Sequence, residues 1–200
     1  MTDNKEKLEV GIWLSGLMKA ASIPNSKIGE MLERAGGWHR LYCMNASEIS
    51  DLIEPEKVKT EKITEYAGSN EIRTKSKALS VQCDALYGSG RFKCIFICDD
   101  DYPVKLREIS APPAVLYFCS AYDSRILNDN FCIAVIGSRN PTYYGRKVTE
   151  QMISGFKGTN ALIISGMARG IDSLAHECSF NSGLITAAVT GCGGDIVYPP

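Results

Sequence analysis

Apolar residues follow helical spacing through the first 90 positions and gather into short runs beyond residue 91. Between Lys5 and Lys19 they fall at Leu8, Ile12, Leu14, Leu17 and Met18, which predicts an amphipathic helix. Pro24 suits the first turn of a second helix running to Arg34, and Gly36–Gly37 stops it. Asn45 followed by Glu48 has the spacing of a capping box for a helix through Ile53. Pro55 opens another helix to about Tyr66, and Ser69 or Asn70 caps a longer one from Glu71 to Tyr87. Short helices joined by tight glycine turns predict a small α-helical domain over residues 1–90, of the SAM-like or helix-hairpin-helix kind. Such bundles bind DNA in some proteins and other proteins in others, so the fold alone does not decide the role.

The pattern changes at Phe92. FKCIFIC reads as a strand, Asp99–Pro103 as a loop, Val104–Ile109 as a brief helix and Ala114–Phe118 as another strand. Asp123–Asn130 reads as polar linker. Three strand–helix units follow: FCIAVIG with a helix from Tyr143, ALIISG with a helix from about Gly170, and LITAAVT leading to GCGGDIVYPP. Alternation of this kind predicts an α/β fold with a parallel, doubly wound sheet. Over residues 91–200 the expected architecture is therefore an extended Rossmann-like sheet, incomplete because Rossmann-type sheets usually continue past three such strands.

The strand exits carry the candidate chemistry. Gly137-Ser138-Arg139 combines a turn residue, a hydroxyl and a guanidinium fork that matches phosphate oxygens. Ser165-Gly166-Met167-Ala168-Arg169-Gly170-Ile171-Asp172 is a glycine-flanked loop between strand and helix. Asp172 falls where a carboxylate satisfies free helix N–H groups, and His176 stands four residues on, within hydrogen-bonding reach on the same helix face. Gly191–Asp195 is the third exit, beside the other two. Helix N-termini at such an edge favour anions, which makes the loops a seat for phosphate. Neither a G-x-G-x-x-G fingerprint nor a Walker A sequence is present, and no G-x-S-x-G elbow supports a Ser–His–Asp triad.

Charge narrows the choice little. The net charge is −1, but residues 131–200 carry five Lys/Arg against four Asp/Glu, so any electropositive site is a local cluster. Eight cysteines lie mostly in apolar runs, with no C-x-x-C pair and only two histidines. They read as buried free thiols rather than zinc ligands, with Cys94 and Cys98 on one strand face. No metal and no cofactor is expected. No apolar run has the roughly 20 residues of a membrane helix and the polar N-terminus lacks a signal sequence, so a cytoplasmic location with no membrane partner is expected.

Taken in order, DDDYPVKLREISAPPAVLY, IAVIGSRNPTYYG, IISGMARGIDSLAH and GCGGDIVYP resemble the DNA-processing protein A family, DprA or Smf, from about Arg91 to Pro200. Cys119 replaces the glycine usual after the LY-x of that lead-in. The resemblance implies a Rossmann core behind a SAM-like domain, truncated here within the core. It implies single-stranded DNA binding and protection, and loading of RecA during natural transformation, without catalytic turnover. It places Arg139 in the DNA pocket, with Gly137 and Ser138. Ser165, Gly166 and Arg169 are expected to join that nucleic-acid site, and Gly170, Asp172 and His176 to shape the pocket. The intact protein is expected to be a homodimer and this fragment a monomer. Competing readings are a phosphoribohydrolase-like nucleotide hydrolase and a protein-docking module built on the helices.

Overall fold

Helix α1 (Thr2–Ala21) gives the N-terminal part of the chain its axis: Leu8, Trp13, Leu14, Leu17 and Ala21 are all buried along it. The structure, a computed structural model, describes residues 2–53, 58–88, 91–193, 196 and 198. It divides into two compact units, residues 1–125 and 126–200.

In the first unit α1 packs with α2 (Asn25–Ala35), α3 (Trp38–Cys43), α4 (Ala46–Asp51), α5 (Thr60–Ala67) and α6 (Asn70–Tyr87) around one core that includes Ile28, Leu32, Leu41, Ile49 and Ile63. The caps read from sequence are present. Gly36 ends α2 in the left-handed region at φ 80°, Asn45 and Glu48 exchange both bonds of a capping box, and the Ser69 hydroxyl accepts from the Ile72 N–H. Pro55, expected to open a helix, lies outside the described residues, and α5 begins at Thr60. Helix α3 was not foreseen; it follows directly on the glycine pair that ends α2.

Strands β1 (Phe92–Phe96) and β2 (Val115–Cys119) form an antiparallel ribbon, with the short helix α7 (Val104–Arg107) between them. The ribbon belongs to the helical core. Cys94 and Phe96 are buried in it, and Phe96 stacks on Trp38 with ring centroids 5.6 Å apart. Asn4 Nδ2 donates to Phe92 O at 3.1 Å, the Ala114 N–H donates to Asn25 Oδ1 at 3.2 Å, and Lys7 pairs with Asp99 at 2.7 Å. The packing boundary therefore falls at Arg125/Ile126, whereas the sequence reading set it near residue 90. The Asp99–Pro113 lead-in has a structural role here. Tyr102 is fully buried and donates to Pro113 O at 2.7 Å, and Asp99 accepts from the Phe96 N–H at 2.6 Å.

The second unit opens with a short helix, α8 (Ile126–Asp129), where a linker was expected. Strands β3 (Phe131–Ala134), β4 (Ala161–Ser165) and β5 (Ile185–Ala188) then make a parallel sheet in sequence order. The crossovers are α9 (Tyr143–Ser154) and α10 (Ile171–Asn181). The two helices pack on each other, as same-handed crossovers between successive strands require. The described strands thus wind in one sense, and the order reversal of a doubly wound sheet is not among the described residues. Ile153, Ala161, Ile163, Ala175 and Leu184 form the core beneath the helices. The His176 Nδ1 lies 2.7 Å from Thr186 Oγ1, tying α10 to β5. Thr186 donates its own proton to Ile163 O at 2.9 Å, so the bond from His176 is Nδ1–H donating, and Nε2 is buried without a partner.

The exits of β3 and β4 interlock. Gly170 sits at φ 88° and ψ −125°, a region open to glycine. A Cβ there would overlap Ser138 O and lie 2.7 Å from the Arg139 carbonyl. A Cβ on Gly137 would lie 2.7 Å from Ile171 Cγ1, and the Ile171 N–H donates to Ser138 O at 3.1 Å.

The cysteine expectation needs correction. Of the eight free thiols Cys94 is buried, while Cys43, Cys98 and Cys119 are exposed. Strand β1 ends at Phe96, so Cys98 does not share its face with Cys94. Burial pushes the Cys94 thiol well above its ordinary range.

Three outcomes follow from this packing. A Cβ on Gly11 would overlap Cys94 Sγ. Gly11→Ala gains about 1 kcal/mol of helix propensity but overpacks a buried contact at about 1–3 kcal/mol. It should lower the urea midpoint, and in a Cys94→Ala background it should turn neutral or stabilising. Gly170→Ala, strained and overlapping backbone, should cost the second unit about 3 kcal/mol or more, read as lost amide-exchange protection in β3 and β4. Burial holds the His176 pKa below its ordinary 6.5, against a smaller upward pull from Asp172. As pH falls through 6.5 the unfolded chain takes up the proton first. Stability of this unit should therefore drop between pH 6.5 and the lower folded-state value. Urea midpoints of His176→Gln should lack that component.

Candidate nucleic-acid interface

The site stands on the C-terminal edge of the β3–β4–β5 sheet. Its first wall is the loop after β3, where Gly137, Ser138 and Arg139 are all exposed. The Ser138 hydroxyl accepts from the Asn140 N–H at 3.1 Å, folding the loop into a local turn. Arg139 has no salt-bridge partner among the described residues, so its guanidinium is not spent on a surface carboxylate. The loop is exposed at the strand exit where the sequence reading placed it.

The second wall differs from expectation. Ser165, read as a nucleic-acid contact, is buried, and its hydroxyl donates to Val135 O at 2.6 Å. Gly166, read the same way, donates its N–H to Asp172 Oδ2 at 3.2 Å. Ser165 therefore ties the β4 exit to β3 and turns its hydroxyl inward, while Gly166 ties that exit to α10. Arg169 is exposed on the loop. Met167 takes φ 58°, an uncommon conformation for a residue with a side chain, and turns the chain between Gly166 and Arg169.

Asp172 is 7% exposed and sits in the first turn of α10, the position read from sequence. Its carboxylate is directed to Gly166, while His176 is directed to Thr186. The hydrogen bond expected between Asp172 and His176 is not formed, because each binds a different strand end. The anion seat expected at the α10 N-terminus is also largely filled: Ile171 N–H bonds Ser138 O and Ser173 N–H bonds Ala168 O at 3.0 Å. Gly170 and Asp172 thus hold the edge from within, and His176 ties α10 to β5.

The third exit lies alongside. The Val189 N–H donates to Ser165 O at 2.9 Å, and the loop runs on through Gly191, Cys192 and Gly193. Gly194 and Asp195 of the predicted turn lie outside the described residues. Ile171 is a participant that residue chemistry did not suggest. It is the wedge against Gly137, and its signal was only an apolar residue directly after Gly170. Among the described residues no group of three His, Cys, Asp or Glu side chains is placed to hold a metal ion. No helix described is long and apolar enough to cross a membrane.

Comparison with known proteins agrees with these motifs. The family model for DNA recombination-mediator protein A matches residues 93–200. The chain is 37% identical over 103 residues to protein Smf of Synechocystis, covering 51% of this chain and 26% of that protein. It is 37% identical over 109 residues to the DNA processing protein DprA of Streptococcus pneumoniae, covering 54% and 37%. With DprA of Bacillus subtilis it shares 33% over 115 residues, covering 58% and 38%. The crystal structure of the S. pneumoniae DprA superposes with a TM-score of 0.63 at 25% identity, over 94% of this chain and 60% of that one. The chain thus spans about a quarter to two-fifths of the length of these curated relatives. Through the Gly137–Arg139 and Ser165–His176 motifs and the sheet that carries them, this chain belongs to the DNA recombination-mediator protein A family, that of DprA and Smf.

Proposed function

We propose that this chain binds single-stranded DNA at the C-terminal edge of its parallel sheet, as part of a recombination mediator and not as an enzyme. One observation carries the reading: the interlocked β3 and β4 exits carry Arg139 exposed on a fixed loop, with no salt-bridge partner for its charge among the described residues. A guanidinium held in this way contacts phosphate oxygens in a fork, and contact with the backbone needs no base identity. Arg169 adds a second exposed cation on the neighbouring loop.

The groups a catalyst would need are engaged elsewhere. Asp172 is held by Gly166, and His176 by Thr186 with its Nε2 buried. This speaks for binding over turnover and against the nucleotide-hydrolase reading. Delivery of the strand to RecA, pairing into a homodimer, action in the cytoplasm and a role in natural transformation are part of the same proposal, and they rest on the family relationship.

Arg139→Ala should weaken binding of a fluorescent oligo-dT about tenfold or more, as loss of a charge-assisted bond does, with an unchanged urea midpoint. The plot of log affinity against log salt should be linear, and the variant should lose about 0.7 of its slope, the share of one phosphate on a single strand. Anisotropy titrations of the full chain measure both. Equal affinity and equal slope for wild type and variant would remove Arg139 from the interface. Tight calorimetric binding of AMP with none of the oligonucleotide would favour the hydrolase.

A further inference from the structure

We propose that Tyr143 and Tyr144 form a stacking platform for the bases of the strand whose phosphates Arg139 engages; this rests on the single-stranded DNA reading above. The two residues are 82% and 75% exposed. No hydrogen bond, ion pair or ring contact holds either side chain among the described residues. Two large aromatic side chains left in water at one helix start offer two π-faces to whatever passes the neighbouring strand exit.

Their position says what docks. Of the strongly exposed aromatics described in this unit, Phe131 begins β3 and Phe180 lies at the end of α10, both at the N-terminal edge of the sheet. Tyr143 and Tyr144 stand at the opposite edge, with Arg139. The chain from Arg139 to Tyr143 spans at most about 14 Å even when extended, and the Ser138–Asn140 turn shortens it. A Cβ on Gly145 would lie 4.0 Å from Ile171 Cδ1, and one on Gly137 would lie 2.7 Å from Ile171 Cγ1. The first turn of α9 and the Arg139 loop therefore lean on the same wedge residue.

The backbone that carries the pair is fixed. Thr142 caps α9, its hydroxyl accepting from the Gly145 N–H at 3.1 Å and its carbonyl from the Arg146 N–H at 3.1 Å. Thr149 donates to Gly145 O at 2.8 Å one turn on. A fixed backbone beneath the rings removes part of the ordering cost of binding. Arg146 and Lys147, three and four residues beyond Tyr143, are exposed and positive, so the ring pair is bordered by charge suited to a phosphate backbone. Aromatic faces beside a cationic track are the physical recipe for sequence-tolerant single-strand binding, because every base has a π-face.

The test compares two probes of equal length and equal phosphate count: oligo-dT and an abasic oligonucleotide. With oligo-dT the Tyr143→Ala/Tyr144→Ala double variant should bind about tenfold more weakly or worse. With the abasic strand it should bind as wild type does, and the double phenylalanine variant should keep its affinity for both. Arg139→Ala, run in parallel, should weaken both probes. If the alanine pair weakens both probes equally, or neither, while Arg139→Ala still weakens both, stacking is overturned and the phosphate site stands. If Arg139→Ala changes neither probe, the underlying site reading falls and the platform with it.

Discussion

The functional edge depends on one close approach of backbone to backbone. Gly170 lies against the carbonyls of Ser138 and Arg139, and Ile171 fills the space beside Gly137 while bonding Ser138 O. Two loops that are far apart in sequence are thereby fixed in one arrangement. The Arg139 side chain therefore starts from a backbone with little freedom left. Ser165 on Val135 O and Asp172 on Gly166 N–H extend the same lock toward β5.

This arrangement explains how polar residues in a motif divide their labour. Ser165, Asp172 and His176 look like chemistry in the sequence because they are polar and regularly spaced. In the fold they are buried or half-buried and spend their bonds on strand ends, which is the rule for polar groups out of water. Ser138, Arg139 and Arg169 on the same loops are exposed to solvent. Nothing in the spacing of residues 165–176 distinguishes the two sets; only the position of β3 beside β4 does.

Much of the rest was legible locally. Caps at Asn45 and Ser69, the stop at Gly36 and the three parallel strands follow from residue types within a few positions of one another. What stayed hidden depends on distant partners. The ribbon of β1 and β2 alternates like any strand pair, and no local pattern says that Cys94 and Phe96 fill the space beside α1 and α3. Helix α3 was hidden for another reason: six residues give too little periodicity to read.

The ribbon has a consequence for how such proteins are divided. Sequence likeness to the family begins at Lys93, inside β1, yet β1 is part of the N-terminal core. The edge of the family match in sequence and the edge of the compact unit are therefore about thirty residues apart. A lineage that exchanged its helical portion at the first edge would leave Cys94 and Phe96 without their burial. Viable exchanges must carry the hairpin along, so the helices and the ribbon travel as one heritable cassette.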